Sequence, residues 1–208
     1  MPVRIQRLRD TAQFSAAAGI LAEAFMTDPL FIHHFPDENR RRIMLRDVYF
    51  DAFVKELAPS DTIFIARKYQ DSLTEGRVVG VAVWRGPGRR YAIGTRSFLR
   101  ITAWLLWLFP WRAARALRAF HAIQARTALD PHWYLPFVGV ETGERSGRIG
   151  ERLLRPVHTV ARRSRMTCRL TTAVQGTITF YERFGYRASQ PFRPLAGMPL
   201  MWKMDRPS

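Results

Sequence analysis

Cysteine is nearly missing. Cys168 is the only one in 208 residues. No intrachain disulfide can form, and a reducing, cytoplasmic setting is the simplest expectation. Lysine is also scarce: apart from Lys55, Lys68 and Lys203, every one of the 33 Lys/Arg cations is arginine. Acids are few as well, 17 in all, which leaves a formal net charge of +16. Such a surplus sets up a positive field suited to a nucleic acid, an anionic membrane or a polyanionic small molecule. GC-rich codon usage explains the arginine bias equally well. The cations are scattered and no basic tail stands out. Helix-turn-helix spacing and basic-aromatic single-strand motifs are absent too, so nucleic acid is not favoured. No cysteine/histidine spacing suggests a metal, and the adjacent His33 and His34 face different ways.

A long hydrophobic run is also lacking. The most apolar stretch, Ile101 to Trp111, contains Pro110 and lies between Arg100 and Arg112. A membrane span needs about 20 apolar residues, so a buried helix is expected there. Trp104, Trp107 and Trp111 would also suit a headgroup boundary. Met1 to Ile5 has no apolar stretch behind its charges and reads as no signal peptide.

Hydrophobic residues make up 47% of the chain, enough for a sizeable core. Residues 1–208 read as one domain of mixed α and β elements. Asp10 and Thr11 offer N-cap oxygens to a helix ending at Asp28-Pro29. A second helix is expected from Glu38 to Leu57; Arg40, Arg41 and Arg42 oppose its dipole, and solvation is their simplest role. Strands are expected at 62–66, 78–84, 132–140 and 167–173, with a turn at Glu75-Gly76. A helical insertion follows over 94–128, broken at Pro110. Pro136 marks a bulge or an edge in its strand. Helices are expected at 149–163, with Ile149, Leu153, Val157 and Val160 on one face and a kink at Pro156, and at 178–184, capped by Gly185. Two last strands are read at 186–192 and 199–204.

The informative segment runs from Leu135 to Val157. It is a strand, a glycine-containing turn and a helix. The turn sets unpaired backbone N–H groups at a helix N-terminus, where a pyrophosphate fits. Gly147 and Gly150 allow close approach, and Arg145 and Arg148 add charge. Downstream lies Phe180-Tyr-Glu-Arg-Phe-Gly-Tyr186. Together these segments resemble the GNAT superfamily of acetyl-CoA-dependent N-acetyltransferases. That family has a Gln/Arg-x-x-Gly-x-Gly/Ala loop after a strand like Val138-Gly139-Val140, and a later Phe-Tyr-x-x-x-Gly-Phe/Tyr helix. Ala24-Phe25-Met-Thr-Asp28-Pro29, Gly80-Val-Ala-Val-Trp84 and His132-Trp-Tyr-Leu135 extend the likeness over nearly the whole chain. Two departures stand out. Arg148 replaces the usual inner glycine, and Val174-Gln-Gly-Thr177 replaces a stretch where many members have asparagine.

The resemblance implies a mixed, mostly antiparallel sheet of six to seven strands flanked by helices, with one splayed pair forming a coenzyme A cleft. It implies acetyl-CoA as co-substrate and a small-molecule or peptide amine as acceptor. Phe137, Val138, Gly139, Val140, Arg145, Ser146, Gly147, Arg148, Ile149, Gly150, Thr177 and Tyr181 are then the cofactor-binding set. Tyr181 is the expected general acid. His132 and Tyr134 compete as base, with Glu141 a third choice. Asp28, Phe31 and Phe35 are expected at the acceptor, between the 28–37 loop and the 94–128 helices. A homodimer is kept open. The competing readings are a degenerate acyl-CoA-binding module, a basic nucleic-acid- or ribosome-associated protein, and an enzyme for a longer acyl chain lined by the tryptophan-rich helix.

Overall fold

The computed structural model describes residues 2–60, 62–69, 76–88, 94–127 and 130–208. Glu75 of the expected turn and Ala128 at the end of the helical insertion lie outside these. In chain order, β1 is Val3–Arg7 and α1 is Phe14–Phe25. Asp10 accepts from the Ala12 amide and caps the short 3-10 turn leading into α1. Asp28 caps α2, Pro29–His34, with proline at its first position. Asp37 likewise caps α3, Glu38–Ile43. A π-helical stretch, Met44–Phe50, joins α3 to α4, Asp51–Leu57.

β2, Ile63–Tyr69, and β3, Gly76–Arg85, form an antiparallel pair. The helical insertion is a hairpin of α5, Thr95–Leu108, and α6, Ala113–Thr127, turned at Pro110. Then come β4, Trp133–Val140; α7, Ile149–Arg163; β5, Cys168–Thr172; α8, Ile178–Glu182; β6, Arg187–Ala188; and β7, Trp202–Arg206.

The sheet has seven strands in the order β1-β2-β3-β4-β5-β7-β6. Every neighbouring pair is antiparallel except β4 and β5. One face carries α1 and the elements up to α6, over a core that includes Leu21, Phe50, Phe53, Ile65, Val81 and Phe137. The other carries α7 and α8 over Trp84, Leu135, Ile149, Leu153, Leu170 and Met204.

Several expectations are corrected. The 28–37 segment is not a loop, because Asp28 and Pro29 start a helix in it. Val160 is exposed; Ala161 is the buried residue beside Val157. α8 is shorter than expected, and the last two strands shrink to Arg187–Ala188 and shift to Trp202–Arg206. Gly185 does sit after α8 in the left-handed region, at φ +83°. Arg41 is buried rather than solvated and donates to the carbonyls of Phe35 (2.7 Å) and Pro36 (3.1 Å). Arg40 donates to Leu108 O at 3.1 Å. These two arginines satisfy orphan carbonyls at the ends of α2 and α5.

Candidate active site

β4 is the strand on which the site is built. Against β3 it runs in register from Val140↔Gly80 to Phe137↔Val83, then slips so that Tyr134 faces Arg85. The slip leaves an extra residue around Leu135 and Pro136, a bulge at the proline, which lacks a ladder donor. The bulge breaks the two-residue alternation. Trp133, Leu135, Val138 and Val140 face the α7 core. Tyr134, Pro136 and Phe137 face a cavity on the opposite side, two of them adjacent in sequence. A Cβ on Gly139 would lie 2.9 Å from Ala24 Cβ, so glycine there lets α1 close onto the strand.

Against β5 the same strand pairs only at its start. Trp133, Leu135 and the residue between them face Cys168, Leu170 and Arg169, and no pairing follows. β5 continues beside β7 instead, through Thr171↔Lys203 and Thr172↔Trp202. The two strands therefore part towards Val140. On that side the backbone of residues 136–140 has no strand partner among the described residues, a split lined by polar peptide groups.

The split opens towards the N-terminus of α7. The 3-10 segment Thr142–Gly147, which holds Arg145, Ser146 and Gly147, leads into Arg148 as N-cap. Arg148 makes no side-chain cap bond and takes the left-handed conformation, φ 54°. This backbone geometry suits glycine, and a non-glycine residue holds it at a cost of about 1–2 kcal/mol. The first amides of α7, from Ile149 onward, lack a side-chain acceptor and point their dipole end outward. Ile149 itself is buried. At Gly150 a Cβ would meet Phe180 Cζ at 3.0 Å, so its small size brings α8 against the first turn of α7.

Tyr181 follows Phe180 and is buried, its ring 5.7 Å from that of Tyr186. Burial raises its phenol well above the ordinary value, so it stays protonated at neutral pH. Thr177 donates from Oγ1 to Val174 O at 2.7 Å and lies 3.0 Å from Thr172 Oγ1, holding the turn before α8.

On the other face lies a cavity of about 170 Å³. Asp28, Phe31, His34 and Phe35 line it from α2 and its cap, Tyr49 from the π segment, and Phe98, Ile101, Leu117 and Phe120 from the α5–α6 hairpin. Tyr134, Pro136 and Phe137 form its floor. The three residues expected at the acceptor are thus brought together with the 94–128 helices. Asp28 is its buried carboxylate: burial raises its pKa to about 6, against the lowering effect of amide bonds from Leu30 and Phe31. Burial, with His33, Arg115 and Arg112 nearby, lowers His34 to about 4. Burial also raises Tyr134. At neutral pH the cavity therefore presents a largely ionised carboxylate, a neutral imidazole and two neutral phenols, Tyr134 and the likewise raised Tyr49. His34 and Tyr49 escaped the sequence reading. Phe31, His34 and Phe35 share one face only if 29–34 is a helix, and that segment reads as a loop.

His132 is elsewhere. It donates from Nδ1 to Asp130 O at 2.5 Å, beside buried Arg169, which bridges Asp130 (2.9 Å) and Asp205 (2.6 Å). Burial lowers its pKa. It is not among the cavity-lining residues. Glu141 is tied to Arg77 on the surface.

Known structures share this architecture. A histone acetyltransferase HPA2-related acetyltransferase from Corynebacterium glutamicum is 24% identical, with a TM-score of 0.64 over 100% of this chain and 98% of that one. The polyamine N-acetyltransferase of Drosophila melanogaster, an enzyme that forms N-acetylagmatine, is 15% identical, with a TM-score of 0.65 over the whole of both chains. The PaiA N-acetyltransferase of Thermoplasma acidophilum, solved with coenzyme A, is 13% identical at 0.57, again over both whole chains. The chain has the GNAT fold. No family model matches it. A curated relative, a probable serine/threonine-protein kinase of Dictyostelium discoideum, is 24% identical over 199 residues, covering 87% of this chain. The chain spans about a fifth of that protein's length, 20%. The split runs along residues 136–140 of β4, and Tyr134, Pro136 and Phe137 of the same strand line the aromatic cavity.

Proposed function

We propose that the protein is an N-acyltransferase that moves an acetyl group from acetyl-CoA to a primary amine of a small molecule or peptide. One observation carries the reading: β4 pairs with β5 only over Trp133–Leu135 and then leaves its peptide groups free beside an uncapped helix N-terminus. The GNAT-fold neighbours that acetylate amines support it. The fit to acetyl-CoA is good. The pantetheine amides are assigned to the backbone of Phe137, Val138 and Val140 on the side away from β3, where the Val140 carbonyl now accepts from Arg145 Nε at 3.4 Å. The pyrophosphate is assigned to the first amides of α7, at Ile149 and Gly150, because those of 145–147 are used within the 3-10 segment; the Arg145 and Arg148 guanidinium groups stand at the rim. Acetyl-CoA supplies the thioester whose C–S bond breaks as the new C–N bond forms.

The chain's own residues do the rest. Asp28 holds the acceptor ammonium while the aromatic walls hold its apolar body. One anionic group among rings favours a monoamine with an apolar substituent over a polyamine. An ammonium must lose a proton before it attacks. Asp28, a stronger base than a solvated carboxylate, takes it. Tyr134 orients the amine. His132 acts through Arg169, as a positioning residue at the base of the split. Tyr181, kept protonated by burial, donates a hydrogen bond to the departing thiolate. The peptide N–H near Val138 polarises the thioester carbonyl.

Calorimetric titration with acetyl-CoA and thiol release over a panel of amines test this. Micromolar binding with turnover of aryl- or alkylamines is expected. No binding of acetyl-CoA would overturn the proposal. The left-handed Arg148 motivates a second reading, an acyl-CoA sensor, which tight binding without turnover would favour.

A further inference from the structure

The α5–α6 hairpin carries a surface that the proposed chemistry does not use. One stripe of α5, Ile101, Leu105 and Leu108, is buried. The opposite stripe is apolar as well: Leu99, Leu106 and Trp107 are exposed. At the turn, Trp111 is 96% exposed and Trp107 72%. An isolated exposed leucine means little, but two indoles and two leucines on one hairpin make a patch. The hairpin's own charges are of one sign, while Asp51 and Glu56 of α4 lie against its α5 arm, away from the turn. Arg96, Arg100, Arg112, Arg115, Arg118 and Arg126 lie on the hairpin, and the nearest acids along the chain are Glu75 and Asp130. Arg100 pairs with Asp51 at 2.6 Å. Arg112 and Arg115 donate only to the carbonyls of His33 and Ala196, and with Arg118 they form no ion pair among the described residues. Their charge is uncompensated at the end that bears the tryptophans.

We infer that the α5–α6 hairpin docks on an anionic lipid bilayer, with Trp107, Trp111 and Leu106 entering the headgroup boundary and Arg112, Arg115 and Arg118 facing the lipid phosphates. Tryptophan favours that boundary because its ring is apolar and its N–H is polar, and arginine reaches phosphate while its stem lies on apolar surface. A second copy is a poor occupant. Two-fold contact through this patch would bring two arginine clusters face to face with no acid between them. Among the described residues no helix is long and apolar enough to cross a membrane, so the contact is peripheral. The inference stands independently of the acetyl-transfer reading.

The test is vesicle co-sedimentation at about 150 mM salt, the ionic strength at which exposed charges act over about 8 Å. Wild type is compared with the Trp107→Ser/Trp111→Ser double variant, on phosphatidylcholine alone and on phosphatidylcholine with phosphatidylglycerol. Both side chains project into solvent, so the variant should keep the wild-type circular dichroism and melting temperature. The wild type should bind the anionic vesicles at least ten-fold better than neutral ones. Brominated lipids should quench its fluorescence, and the double variant should lose about ten-fold in binding. Equal binding by the variant, indifference to lipid charge, or no binding to any vesicle would each overturn the inference. So would a wild-type dimer that the variant abolishes, or binding confined to RNA.

Discussion

The two faces of the sheet are closed by different chemistry. Under α7 and α8, Leu153, Leu154 and Ile149 are buried against Trp84, Leu135 and Leu170. Under α2, the π segment and the hairpin, rings dominate. Phe137 meets Phe50, Phe53 and Phe25 edge-on at 5.0 to 5.6 Å, and a cavity remains with one carboxylate in its wall. Edge-on rings tile less completely than branched aliphatics do, and the hairpin stands on their far side. One face holds the α7 N-terminus rigidly; the other keeps room for a guest.

Truncation should separate the two most widely. Leu153→Ala removes a fully buried side chain from the dense face and should cost about 3–5 kcal/mol in urea unfolding. Leu117→Ala widens an existing cavity and should cost under about 1.5 kcal/mol. Equal losses would show that the faces do not differ in packing.

Asp28 gives the next effect, with a sign. Its folded pKa is raised from 3.8 to about 6, so its contribution to stability is full below pH 3.8 and is lost as pH rises through 6. At neutral pH the buried charge therefore destabilises the fold, by about 3 kcal/mol at one pKa unit per 1.36 kcal/mol. Asp28→Asn, which keeps a capping oxygen, should melt higher than wild type at pH 7.5 and match it near pH 4, while its KM for amine rises at least ten-fold. An unchanged KM would remove Asp28 from the acceptor site.

Tyr181→Phe should lower kcat about 100-fold, the low end for loss of one donor to a developing anion, with the fold intact. A purely packing tyrosine would leave kcat alone. The smallest effect belongs to Arg148→Gly. Relief of the left-handed backbone, offset by the freer unfolded chain, should leave stability within about 1 kcal/mol of wild type. A change in acetyl-CoA affinity in that variant would report on the guanidinium itself.

Much of the dense face was legible in sequence. The 3.6-residue spacing of Ile149, Leu153 and Val157 marks a buried helix stripe, and the glycine after Phe184 marks the end of α8. Val160 was misassigned because the stripe drifts, putting Ala161 inward. The cavity face was legible only in part. Asp28, Phe31 and Phe35 were named, but as loop residues, so His34 was passed over. Tyr49 comes from a π turn, whose shifted spacing no heptad count anticipates. His132 and Tyr134 share a parity in an ideal strand, and nothing local says which one meets the cavity.

The residues themselves determined the order of elements, the proline bulge and the uncapped helix start after a glycine-bearing turn, because these rest on backbone preferences acting over a few positions. Only the tertiary structure decided that β5 stays paired with β7 but parts from β4 after Leu170, that Arg41 is buried, and that Asp28 and Tyr134 share a cavity while His132 joins Arg169. Those outcomes depend on burial and on partners dozens of residues away, and no local pattern encodes a desolvated charge or a missing strand neighbour.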